Sequence, residues 1–185
     1  MLLHKGTETI ITKRLILRKF SLDDCEDMFI WASNPEVTKY LSYNSHKTIK
    51  DSKDIISFWI SKYENASTYN WAIQYKGTVI GNIDVVEQNE NSCHLGWQID
   101  KPYWNMGIMT EAASAVLDYL FGVGYKYISS AHDAKNIGSG RVMQKIGMKQ
   151  YKIIPDFIFD KDNRIIEKVC YKISKKDWLA KNKSK

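Results

Sequence analysis

The sequence predicts a mixed α/β fold of the α+β kind, read as one domain over residues 1–185. Three observations predict it. Residues 69–76, 78–88 and 92–100 each suit a strand and are joined by short turns, the signature of an antiparallel meander. Residues 107–122 then carry Ala113, Val116, Leu117, Leu120 and Phe121 at helical spacing. Beyond them come a strand-like stretch, a short helical one and a closing hairpin, so that helices alternate with strands in the second half.

From the N-terminus, "RLILRKF" (14–20) alternates well enough for a strand. Ser21 stands where a helix N-cap is expected, with acidic residues in the turn that follows and an apolar stripe to Ser33. "NPEVTKYL" (34–41) reads as a second short helix. Residues 48–65 read as a longer one, with Ile55, Ile56, Trp59 and Ile60 on one side. Gly77 and the polar "NEN" mark the meander's turns. Gly122 and Gly124 are expected to end the central helix. Residues 125–133 read as a strand, 136–147 as a short helix closed by Gly147, and 149–156 with 164–173 as the final hairpin. The core spans about 12–173, and the basic tail 174–185 is expected to be solvated.

With 185 residues, 44% hydrophobic and 26% charged, the composition is that of an ordinary globular domain. No apolar run approaches the ~18 residues needed to span a bilayer, and "MLLHKGTETI" lacks a secretory layout. Cys25, Cys93 and Cys170 are odd in number and widely spaced, which predicts reduced thiols, a cytoplasmic location and no metal site. The net charge of +6 admits a nucleic acid, an acidic protein or a polyanionic small molecule as partner. No element interleaves basic and aromatic residues, so a nucleic-acid partner ranks last. A homodimer is left open.

The junction "KPYWNMGIMTEAAS" (101–114) carries the chemistry. A glycine at a helix start permits close backbone approach, and the amides of Met106, Gly107, Ile108, Met109 and Thr110 could converge on phosphate oxygens. It is neither a P-loop, since no GK[ST] follows, nor a GxGxxG fingerprint. By itself one such glycine is as well explained by a turn.

"YWNMGIMTEA" nevertheless closely resembles the pyrophosphate-binding motif of the GNAT superfamily of acetyl-CoA-dependent N-acetyltransferases, in its RimJ/RimL-like branch of ribosomal-protein acetyltransferases. Four further stretches resemble that branch in the right order: "TKRLILRKFSLDDCEDMFIWASNPEVTKYL", "WAIQYKGTVIGNIDV", "HLGWQID" and "NIGSGRVMQKIGM". The resemblance covers residues 12–173. It implies the GNAT acyl-CoA N-acyltransferase fold, a mixed sheet flanked by helices in which strands 92–100 and 126–132 are parallel neighbours that splay apart. Acetyl-CoA would enter that gap as co-substrate. Main-chain groups of Trp97, Gln98 and Ile99 would face its pantetheine arm, and Asn136 and Ser139 match positions near the pantetheine or adenosine. Two departures stand out: Trp104 replaces a common Gln or Arg, and Met109 a small residue.

Acyl transfer to an amine needs a proton acceptor, and His94 sits where many relatives have glutamate. A half-buried structural histidine explains it equally well. Met143 stands where many relatives have a tyrosine acid, which leaves water or the Ser139 hydroxyl to protonate the thiolate. His132 is a second-choice lining residue, Glu111 reads as a helix-start carboxylate, and Glu87 as surface. Trp31, Tyr40, Tyr43 and Asp84 are expected to line the acceptor side. The activity so implied is direct transfer of an acetyl group to a primary amine, either a protein N-terminal α-amine or a small molecule. The alternative is a non-catalytic acyl-CoA sensor on the same fold.

Overall fold

The computed structural model describes residues 2–159 and 161–183, so residues 184 and 185 of the basic tail lie outside it. Eight strands form one sheet: β1 (Ile10–Ile11), β2 (Leu15–Arg18), β3 (Asn70–Tyr75), β4 (Thr78–Gln88), β5 (Ser92–Ile99), β6 (Tyr127–Asp133), β7 (Lys149–Phe159) and β8 (Arg164–Ser174). Their order is β1-β2-β3-β4-β5-β6-β8-β7. Every neighbouring pair is antiparallel except β5 with β6.

Helices cover both faces. On one lies α4 (Ile108–Val123), whose Ala112, Ala113, Val116, Leu117 and Leu120 are fully buried with Trp71, Ile83 and Leu95 of the sheet. On the other, α1 (Cys25–Ala32) and α3 (Ile49–Lys62) bury Met28, Trp31 and Ile56 against Ala72 and Val79. The short α2 (Pro35–Thr38) starts on Asn34, whose side chain accepts from the Glu36 amide. The helix α5 (Ile137–Lys145) follows β6, and α6 (Lys175–Lys183) ends the described chain.

Four local expectations are corrected. The two-residue β1 was not foreseen, being too short to show a period. Ser21 does open a helical segment, but its first turn, Leu22–Asp24, is 3₁₀, held by a capping box with Asp24. In α3, Ile55 points outward at 36% exposure while Ile56 is fully buried, because successive helical residues point about 100° apart. Gly122 lies inside α4, and Gly124, at φ 121°, ends it. The tail also departs from a solvated end. Trp178 of α6 is buried, its ring 6.5 Å from that of Phe121, and its indole N–H donates to Asp118.

Candidate active site

The parallel pair β5–β6 is joined only at its start, through Ser92↔Tyr127, Cys93↔Ile128 and His94↔Ser129. One step on, the Ser130 hydroxyl donates to the Leu95 carbonyl at 2.8 Å. Past that point β5 continues to Ile99 paired with β4 alone. The strands thus part at Leu95, and the crevice opens at their carboxyl ends, where parallel strands commonly hold ligands.

A cleft of about 520 Å³ occupies this opening. Trp97, Gln98 and Ile99 form one wall; Asn136, Gly138 and Ser139 of the α5 start form another; Gly107 to Thr110 close the end. Gly107 adopts φ 73°, a left-handed conformation that glycine takes without strain. The first α4 amide to find a helical partner is that of Glu111, on the Gly107 carbonyl. The amides before it keep the free donor capacity of a helix start, where the dipole favours an anion. Lys135, Arg141 and Lys145 add three cations to the same cleft. Sequence reasoning missed these three, although Arg141 and Lys145 at i, i+4 beside Asn136 were a readable signal.

Of the foreseen cleft residues, Trp97, Gln98, Ile99, Gly107, Ile108, Met109, Thr110, Asn136, Ser139 and Tyr40 all line it. The Ile99 carbonyl is already taken by the Trp104 indole, at 2.8 Å. Met106 is different: its side chain is exposed and its carbonyl accepts from Arg14, so only its backbone borders the elbow. Asn136 caps α5 by accepting from the Ser139 amide, and its own amide donates to the Ser139 hydroxyl, both at 3.3 Å. Glu111 ties α4 to the β1–β2 turn by accepting from the Thr12 hydroxyl and from Arg14. Burial pushes its carboxyl up, but these donors outweigh burial and hold it below the ordinary range.

The structure separates the residues that the sequence grouped as an expected acceptor side. Trp31 is 1% exposed and gives its indole N–H to the Val79 carbonyl. It is core, placed there because α1 packs flat on the sheet. Tyr43 donates to the Gln98 side-chain carbonyl. His94 lines neither this cleft nor a smaller one described below; its Nδ1 lies 3.0 Å from the Ser129 hydroxyl. Burial, and then Lys168, depress its pKa against an opposing pull from Glu87. His132 packs on Tyr171 and against Gly140, away from both clefts. Met143 is buried in the core and offers no proton. Cys93 is also buried, its thiol pushed up to about 12, which leaves it inert as a nucleophile.

Residues 14–149 match the family model of the acetyltransferase (GNAT) domain. The chain belongs to the GNAT N-acetyltransferases. It is 30% identical over 171 residues to the uncharacterized N-acetyltransferase YnaD of Bacillus subtilis, covering 91% of this chain and 98% of that one. A GNAT-family acetyltransferase structure from Bacillus anthracis superposes with a TM-score of 0.81 at 25% identity, covering 91% of this chain and 99% of the other. The fold is shared as well with Mycobacterium smegmatis RimJ, solved in complex with CoA-disulfide. There the TM-score is 0.76 at 16% identity, over 88% of this chain and 82% of that one. Among the described residues of this GNAT enzyme, no helix is long and apolar enough to cross a membrane.

Proposed function

We propose that this GNAT enzyme transfers the acetyl group of acetyl-CoA directly to a primary amine, in the manner of the RimJ/RimL-like branch. The acceptor would be a protein N-terminal α-amine or a small molecule, and the reduced, separate cysteines suit a cytoplasmic setting. The observation that carries the reading is the parting of β5 from β6 at Leu95, in a cleft that ends on the unspent amides of α4. This shape accepts a long thin arm between strands and a diphosphate on peptide N–H groups, with no side-chain charge required. Lys135, Arg141 and Lys145 complement a polyanion at the wider end. That RimJ of the same fold holds a coenzyme A disulfide supports the same ligand class here.

Ser139 would serve the leaving group. Its oxygen accepts from Asn136, so its own proton is free to be donated to a thiolate in the cleft. A strand amide near Trp97 to Ile99 would stabilise the developing oxyanion. The test is a calorimetric titration with acetyl-CoA, followed by free-thiol release over a panel of primary amines and N-terminal peptides. Saturable binding and amine-dependent thiol release are expected. Absence of acetyl-CoA binding would overturn the reading.

A further inference from the structure

A second cleft, of about 250 Å³, opens on the opposite face of the sheet beside the end of α3. Trp59 and Lys62 stand at its α3 side, Asn70 on β3, and Asp84 of β4 is the one carboxylate among its lining residues. The polar neighbours of Asp84 are bonded to one another. Tyr43 donates to Gln98, the Gln98 amide to the Asn82 oxygen at 2.5 Å, and the Asn82 amide to the Asn70 oxygen at 3.3 Å. No described group donates a hydrogen bond to the Asp84 carboxyl itself, and burial is what acts on it. A half-buried carboxylate that receives no hydrogen bond from the chain is a seat for an arriving cation.

Its place in the register gives that seat a use. Asp84 is paired with Gly96, the first residue of β5 past the point of parting. A Cβ on Gly96 would lie 3.3 Å from the Asp84 Oδ1 and 3.1 Å from the Val86 side chain. Glycine there lets the carboxyl, flanked by Val86, approach the β5 backbone that borders the gap.

We propose that Asp84 seats the ammonium of the acceptor and takes its proton, the acceptor being a compact primary monoamine that enters through this second cleft. The inference rests on the acetyl-transfer reading above. The amine, freed of one proton to the Asp84 carboxylate, bonds through its lone pair to the thioester carbonyl carbon. The carbon–sulfur bond breaks, and the second amine proton ends on the departing thiolate. The products are an amide and a free thiol, and Asp84 returns its proton to solvent. Lys62 in the cleft, with the net charge of +6, selects against polyamines. Burial raises the Asp84 pKa to about 7, which suits a group that must gain and lose a proton near neutrality. The titratable groups that face it are Tyr43 and Tyr63, with Lys62 on the α3 side of the cleft.

The test compares Asp84→Asn, Asp84→Glu and His94→Gln with the full-length wild type, using whichever amine of a panel containing benzylamine, L-threonine, spermidine and an N-terminal seryl peptide gives the fastest thiol release. Acetyl-CoA affinity is measured in parallel by calorimetry. The expected result is a loss of ~100-fold or more in kcat/KM for Asp84→Asn, with acetyl-CoA affinity kept, partial rescue by Asp84→Glu, and a monoamine as best acceptor. The limb of the pH–rate profile near neutrality should vanish with the carboxyl. Turnover of Asp84→Asn close to wild type, a larger loss in His94→Gln, or loss of acetyl-CoA binding in Asp84→Asn would each overturn the assignment while leaving the transferase reading intact. Wild-type enzyme that binds acetyl-CoA yet acetylates no amine would overturn both.

Discussion

Asp84 and Glu111 are both carboxylates, yet their surroundings drive them in opposite directions. Glu111 receives Thr12 and Arg14 as donors and stays ionised; Asp84 receives none and is raised to about 7 from the usual 3.8. Between those two values the folded chain holds the Asp84 proton more tightly than the unfolded chain does. Raising the pH through that interval therefore costs stability, and above about 7 the cost is complete. Urea unfolding of wild type and Asp84→Asn across this window should show the variant gaining on wild type as pH rises. A constant gap would mean that the carboxyl titrates normally. Glu111 works the other way: its contribution is present above its usual range and is lost as pH falls. The sequence could place Asp84 on a strand and raise the expectation that it lines the acceptor side. It could not show that Asn70, Asn82, Gln98 and Tyr43 would bond to one another and leave this carboxyl without a donor.

At the scale of elements, period and punctuation carried most of the reading. The meander, the α4 stripe and the α5 start were legible because their apolar positions recur at a regular interval and glycine or asparagine stands at their ends. The helix α6 was not. Its sequence is basic and nearly without an apolar face, and Trp178 docks it beside Phe121, with Lys175 on the Phe121 carbonyl and Lys181 on the Lys145 carbonyl. Trp178→Ala should cost about 3–5 kcal/mol in chemical denaturation, most of it lost packing, with acetyl-CoA affinity little changed. A negligible effect would return α6 to the status of a solvated tail. The local error at Ile55 has a related cause: Ile55 and Ile56 point about 100° apart on the helix, and only packing chose Ile56 as the buried one.

For the whole molecule, the excess positive charge acquires a direction only after folding. Lys135, Arg141 and Lys145, close together in sequence, line one cleft, so the field that a polyanionic ligand meets is concentrated at its mouth. Acetyl-CoA binding should weaken as salt is raised. Arg141→Ala should lower affinity by about two- to fivefold at low salt, as expected for a partly exposed ion pair, and should flatten the salt dependence. An affinity indifferent to salt in the wild type would place the ligand away from these residues.

The sequence by itself determined the family, the order of the elements from β2 to β8, the glycine that opens α4 and the loop that bears the free amides, since each is written in contiguous residues and follows from local backbone physics. Tertiary structure alone decided where the parallel strands part, which aromatic rings become core rather than cleft, and which ionisable side chain on the acceptor face is left without a partner. Those outcomes depend on contacts between segments far apart in the chain, where burial and hydrogen-bond accounting are settled jointly.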